Sequence, residues 1–360
     1  MPVLTYSEEN AVINHSNEVA SMGKNALIVT GRSSSRNNGS LYDVKAVLDK
    51  HKIKYTVFDE IEENPSVQTI INASKTGYEA KSDFVIGVGG GSPLDAAKAI
   101  AFLLRHPGHS ELLYTLGDDE HLPLVLIPTT CGTGSEVTPV SVLTLTNQRT
   151  KKSISHKIFA DLALIDGRYL KAAPIQVIRN TALDALTHMI ESRLNTKADD
   201  FSRMYVDSGL DLWKKNMSVL ENGRADTIQL CEMMNASAMA GMAIAQTSTG
   251  IPHGLSYSLT IRKHIPHGNA VGYFTAGYLN EADESEKKYL LDKMGFSGVD
   301  EFHHWYLKLY GKAEVSEQIL NDAVDELWKN QPKVKTAPFE VDIDRLKRMA
   351  YFTYRYKTVK

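Results

Sequence analysis

In the first half of the chain, short apolar, β-branched runs recur between stretches of helical period, a pattern that few folds satisfy. The runs are Ala26–Thr30 (ALIVT), Lys54–Phe58 (KYTVF), Phe84–Val88 (FVIGV), Leu122–Ile127 (LPLVLI) and Leu162–Ile165 (LALI). Amphipathic segments such as Leu41–His51 and Pro93–Leu104 separate several of them. A strand that is apolar on both faces needs cover on both, and helices between parallel strands supply it. The pattern predicts a doubly wound, Rossmann-like α/β domain with a parallel sheet.

After about Leu170 the texture changes. Ile175–Asn195, Asp200–Leu220 and Asp226–Gln246 are rich in helix formers, and helical patterns interrupted by Gly and Pro continue to Lys360. The segment Gly167–Pro174 (GRYLKAAP) breaks both patterns and marks the boundary. A chain of 360 residues suits two hydrophobic cores better than one. We therefore expect an α/β domain over residues 1–169 and an all-helical (all-α) domain over 170–360.

Composition narrows the setting. The net charge of -3 gives no electrostatic reason to expect nucleic acid or an anionic membrane as partner. No run approaches the roughly 20 apolar residues that span a bilayer. The first residues, MPVLTYSEEN, lack the blocks of a signal peptide. Only Cys131 and Cys231 occur, which disfavours a disulfide framework and fits a reducing compartment. The expectation is a soluble, cytoplasmic protein.

Two turns in the first half carry ligand-binding chemistry. Gly89, Gly90, Gly91, Ser92 and Pro93 follow the strand FVIGV and open a helix. Ser92 suits the cap, Pro93 the first helical position, and Asp95 the place of a capping-box partner. The N–H groups at that helix start would form an anion site suited to a pyrophosphate. Taken alone, the turn reads equally well as a tight strand-to-helix connection with no ligand. Leu122–Ile127 then runs into Pro128-Thr129-Thr130-Cys131-Gly132-Thr133-Gly134-Ser135-Glu136. Hydroxyls after a buried strand need partners, and ligands bind at the carboxyl ends of α/β strands. Two such loops on successive strands favour the ligand reading.

The second half holds a metal-type constellation. Asp184 and His188 are four residues apart in a helical stretch, on one face and one turn apart. His253 (GIPHGL) and His267 (IPHGNA) would lie about 21 Å apart on one continuous helix. Ligands of one ion lie within roughly 4 Å of one another, so the chain must fold back between them. Pro252, Gly254, Pro266 and Gly268 offer places for the breaks. One carboxylate and three imidazoles suit Fe²⁺ or Zn²⁺. A helix-surface Asp184–His188 pair and hydrogen-bonded core histidines are the alternatives at this point.

Four motifs together resemble the iron-containing (group III) alcohol dehydrogenase family. They are Gly89-Gly90-Gly91-Ser92 with Asp95 and Lys98, the Pro128–Glu136 loop, Asp184-Ala185-Leu186 with His188 and Glu191, and the two His-Gly pairs. The likeness runs from Ala26 to Ala270 and implies a dehydroquinate-synthase-like architecture, with a dinucleotide-binding first domain and a metal-binding, substrate-binding second one. It implies that Asp184, His188, His253 and His267 hold a divalent metal, usually iron. It places the triple-glycine turn, with Asp95 in its motif, on the pyrophosphate. Thr129, Thr130, Thr133, Ser135 and Lys151 fall on the nicotinamide side. Tyr257 stands where many members carry a further histidine near the substrate; as a proton relay, with the ligand His267, it is a catalytic candidate. A homodimer is the family's habit.

The resemblance also puts the turn after ALIVT beside the adenine ribose. That turn reads Gly31-Arg32-Ser33-Ser34-Ser35-Arg36 and has no carboxylate to bind a ribose 2′-OH. Gly31, Ser33 and Ser34 with two arginines suit a 2′-phosphate, so NADP(H) is expected over NAD(H). Asp59 and Glu60 end the second strand and argue the other way. The implied activity is hydride transfer between this cofactor and a small alcohol or aldehyde. A lyase or cyclase of the dehydroquinate-synthase type, using NAD transiently, is the rival; Arg262 and Lys263 are its best basic residues.

Overall fold

The computed structural model describes residues 2–146 and 150–356. Its main sheet has six parallel strands in the order β1-β8-β5-β4-β2-β3. These are β1 (Leu4–Ser7), β2 (Asn25–Gly31), β3 (Lys54–Ile61), β4 (Phe84–Gly89), β5 (Leu124–Pro128) and β8 (Leu162–Ile165). Between β5 and β8 a small antiparallel pair forms from β6 (Val142–Leu145) and β7 (Thr150–Ser153). The five apolar runs become β2, β3, β4, β5 and β8, and every residue of β4, β5 and β8 is buried. Each fully buried Val, Leu or Ile on them contributes about 1.5–3 kcal/mol. This is the predicted doubly wound sheet.

The topology says where a ligand would bind on it. From β2 the chain passes to β3 on one side, and from β4 to β5 on the other. The carboxyl ends of β2 and β4 therefore flank a topological switch point, where a crevice opens in sheets of this kind. Register pairs Thr30 with Val88, which brings the Gly31–Arg36 turn and the triple-glycine turn to the same edge.

The chain divides into two compact units: Met1–Pro174 with Ala225–Gly241, and Ile175–Arg224 with Met242–Lys360. The first part of helix Thr227–Thr247 thus groups with the sheet, which no single cut in the sequence expresses. The second unit is helical, as expected, and three of its helices matter for chemistry: Ile175–Arg193, Ile251–Lys263 and His267–Asn280. The predicted 200–220 helix breaks at Asn216 into Asp200–Lys215 and Met217–Asn222.

The break between the two histidine helices corrects one expectation. Pro252 lies in the first turn of its helix and Pro266 is the N-cap of the next, with His264 in left-handed geometry closing the first. Gly254 and Gly268, expected at the breaks, lie inside helices instead. Gly268 is there for proximity: a Cβ would sit 1.7 Å from the Asn180 carbonyl oxygen. The bare backbone lets the His267 end of one helix press onto Ile175–Arg193.

Candidate metal centre and nucleotide turns

Asp184, His188 and Glu191 share one face of the Ile175–Arg193 helix, and all three are buried. Asp184 Oδ1 is the point of convergence. His253 Nε2 lies 3.3 Å from it, His267 Nε2 3.7 Å and His188 Nε2 3.9 Å. The rings of His188 and His253 stack at 4.5 Å. Ligand atoms of Asp184, His188 and His253 all fall within 4.8 Å of one another. His267 stands at the more open side, with its side chain 30% exposed.

The donor set fits a cation. Asp184 Oδ1 and His253 Nε2 are buried without a hydrogen-bond partner among the described residues. Such atoms are expensive to leave idle unless something positive lies between them. Glu191 orients the site from behind: its Oε2 accepts from His253 Nδ1 at 2.5 Å and its Oε1 from the His253 backbone N–H at 3.0 Å. Glu191 thus keeps the Nδ1 proton in place and turns Nε2 toward Asp184, where a cation would displace the Nε2 proton and take its lone pair. Oxygen and imidazole donors without a thiolate suit Fe²⁺ or Zn²⁺.

Electrostatics follow the same geometry. Burial opposes charge on Asp184, but His188, His267 and His253 together hold its carboxyl well below the usual range. Burial also opposes charge on His253; Glu191 and Asp184 outweigh it and raise the pKa to about 9. Tyr257, one turn beyond His253, is pushed up to about 12 by burial first and then by Glu191 and Asp184. A phenol is protonated at neutral pH in any case, and the shift makes this one a weaker acid than an exposed tyrosine.

In the sheet unit the two expected loops pack on each other. A Cβ on Gly91 would meet Thr133 Cγ2 at 2.6 Å, and Thr129 N–H donates to the Gly89 carbonyl at 2.8 Å. The helix begins at Gly91 with Gly90 as its cap, and no side chain caps it. This corrects the capping assignment. Ser92 and Pro93 are its second and third residues; Ser92 Oγ accepts from Asn64 N–H at 3.0 Å, and Asp95 binds elsewhere. The uncapped start leaves backbone N–H groups for an anion.

Ser135 and Asp95 engage each other: Ser135 Oγ donates to Asp95 Oδ1 at 2.5 Å, and Asp95 Oδ2 accepts from Val142 N–H at 2.9 Å. Lys151, on β7, donates to Asn64 Oδ1 at 2.6 Å. Asn64, at positive φ, thereby joins Ser92 to Lys151. Its role was missed, because Asn-Pro in a sequence reads only as a turn. After β2, Ser33 and Ser34 are exposed, whereas Ser35 is buried beside Thr30 Oγ1 at 2.6 Å. Arg36 forms an ion pair with Asp59.

Comparison with known proteins supports these observations. The profile of iron-containing alcohol dehydrogenases matches residues 2–167, and that of the family's C-terminal region matches residues 178–329. An iron-containing alcohol dehydrogenase structure from Thermotoga maritima superposes with a TM-score of 0.90 at 34% identity, covering 98% of each chain. Sulfoacetaldehyde reductase of Bilophila wadsworthia is 31% identical over 74% of this chain and 71% of its own. A 1-propanol dehydrogenase of Citrobacter freundii is 33% identical over 60% of this chain, and the match spans 56% of that protein's length. With both halves matched and the Asp184, His188 and His253 donors drawn together, the chain belongs to the iron-containing alcohol dehydrogenase family.

Proposed function

We propose that this protein is a divalent-metal-dependent alcohol dehydrogenase that interconverts a small alcohol and its aldehyde with NADP(H). The observation that carries the reading is the convergence of three imidazole nitrogens on Asp184 Oδ1 within 3.9 Å. Asp184, His188, His253 and His267 would hold the ion, with Fe²⁺ favoured over Zn²⁺ by family. Bound there, a divalent cation supplies Lewis acidity toward a carbonyl oxygen, and the nicotinamide supplies the hydride.

The chain's own residues have distinct tasks. Glu191 fixes the tautomer and ring orientation of His253 through Nδ1. Tyr257 Oη, one turn beyond His253 and protonated at neutral pH, is the candidate donor toward the reduced oxygen. The uncapped N–H groups at Gly90–Ser92 bind the pyrophosphate, with Gly89 shaping the turn. Thr129, Thr130 and Thr133 line the nicotinamide side, Ser135 braces that loop through Asp95, and Lys151 acts with Asn64.

The phosphorylated cofactor is favoured by charge at the β2 turn. Of the two carboxylates that argued for NAD, Asp59 is ion-paired with Arg36, while Glu60 is exposed. Gly31, Ser33 and Ser34 would meet the ribose, and Arg32, Ser33 and Ser34 are exposed to receive a 2′-phosphate. Comparing kcat/KM for NADPH and NADH tests this; at least about a tenfold preference for NADPH is expected, the worth of one charge-assisted contact. Equal efficiency or a preference for NADH refutes it. The rival cyclase needs free basic groups for a phosphorylated substrate. Of its two candidates, Arg262 is ion-paired with Asp322 and Glu326, and Lys263 is exposed at the end of its helix. The two reactions differ in net oxidation of the cofactor, read at the nicotinamide absorbance band. A solution dimer and a cytoplasmic location complete the proposal, the first checked by light scattering and the second by cell fractionation.

A further inference from the structure

Lys98 is fully buried on the Gly91–Arg105 helix, two turns below the triple-glycine turn. Its ammonium donates to Ser135 Oγ at 2.7 Å and to the Val140 carbonyl at 2.8 Å, with Thr138 Oγ1 at 3.4 Å. An ammonium has three N–H donors, and these three oxygens account for them. All three acceptors lie on the stretch that continues from the threonine-rich loop into β6. Asp95, one turn earlier on the same helix, holds the stretch from its other side. It accepts from Ser135 Oγ and from Val142 N–H through its carboxylate, and from Ser141 Oγ at 2.7 Å through its backbone carbonyl. Asp95 Oδ1 is 3.6 Å from the Lys98 ammonium.

These bonds join the two turns of the nucleotide site from beneath. The helix carries Gly90 and Gly91 at its start, and Ser135 ends the loop that presents Thr129, Thr130 and Thr133. Gly91 and Thr133 already meet at the top, where a Cβ on the glycine would lie 2.6 Å from Thr133 Cγ2. Register between the turns is thus set at two levels, by contact above and by the buried charge below. Burial pulls the Lys98 pKa down, while Asp95 and Glu136 act against that. Burying a cation this completely carries a heavy desolvation cost, and here its three donors all go to one stretch of chain.

We propose that Lys98 is a positioning residue for the nicotinamide cofactor, clamping the Thr129–Val142 stretch onto the helix that begins at the triple-glycine turn. The proposal rests on the reading that these two turns hold that cofactor. Lys98 touches neither cofactor nor substrate; it acts through Ser135 and Val140.

The test is Lys98→Met in the full chain loaded with metal, titrated with NADPH and with NADH, and assayed for cofactor KM and aldehyde KM separately. A clamp predicts a cofactor KM and Kd raised about tenfold or more, with the aldehyde KM at saturating cofactor changed by less than about twofold. Lys98→Met leaves Asp95 and Glu136 without their cation, so Asp95→Asn with Lys98→Met is the companion variant that removes charge from both sides. It is expected to melt cooperatively and still bind the cofactor weakly. Wild-type cofactor KM in either folded variant overturns the proposal, and so does an equal rise in both KM values. If the wild-type protein itself binds neither nucleotide, the cofactor reading fails and takes the clamp with it.

Discussion

Asp184 Oδ1 and His253 Nε2 lie 3.3 Å apart, both buried and neither hydrogen-bonded among the described residues, although they belong to different helices. An acid and an imidazole that face each other in this way can exchange the proton between them for a metal ion. Replacing His253 with Ala removes one of the four proposed ligands. Metal in the purified protein should fall from about one ion per subunit to under about a tenth. Elemental analysis reads this directly, and nucleotide binding, on the other compact unit, should persist. Full metal content in His253→Ala would show that the ligand set is wrong.

Glu191 is not one of the four proposed ligands, yet it fixes the His253 ring through Nδ1. Glu191→Ala should lower metal affinity by about 10–100-fold, the usual effect of losing such a partner. Competition with a chelator of known affinity measures it. An unchanged affinity would make Glu191 a plain core acid.

Gly268 lets two helices approach where a Cβ would lie 1.7 Å from the Asn180 oxygen. Gly268→Ala should destabilise the fold by about 1–3 kcal/mol or more through overpacking. By displacing His267 it should also weaken metal binding. Gly298, where an added Cβ meets nothing within 4 Å, is the control. Urea midpoints of the two variants decide: similar values would remove the close-approach argument.

Glu136 gives a pH dependence with a definite sign. Burial, the largest influence, raises its pKa from an ordinary 4.5 to about 7, against a backbone hydrogen bond and Lys98, which pull it down. A raised acid prefers its proton in the folded state. Its stabilisation is complete below pH 4.5 and is lost as pH rises through about 7. Glu136→Gln should match the wild type in stability near pH 4.5 and exceed it at pH 8 by up to about 3 kcal/mol. Denaturation curves across that range check it; a constant difference between the two proteins would mean that Glu136 does not titrate there.

What the sequence revealed, and what it hid, has a physical pattern. Runs such as FVIGV and LPLVLI announced their strands, because burial on both faces requires every residue to be apolar. β1 escaped, since it lies at the sheet edge with Leu4 half exposed and carries no such run. The β6–β7 pair escaped for a similar reason: β7 reads TKKS, largely solvated. At the metal centre, Asp184 and His188 were legible from helical spacing. Convergence with His253 and His267 was legible only through the family resemblance, because it depends on a left-handed His264 and on Gly268 packing. Ser92 and Asp95 looked like cap residues; their bonds go instead to Asn64, Ser135 and Val142, segments far away in sequence. Local rules cannot express such partners.

The most direct test of the central claim is oxidation of NADPH by apo protein with a panel of short aldehydes, before and after Fe²⁺ or Zn²⁺ is added, with His253→Ala alongside. The account predicts turnover in the wild type that appears only with metal, and none in the variant under the same conditions. Full turnover in rigorously metal-free wild-type protein, or equal restoration in His253→Ala, would contradict it.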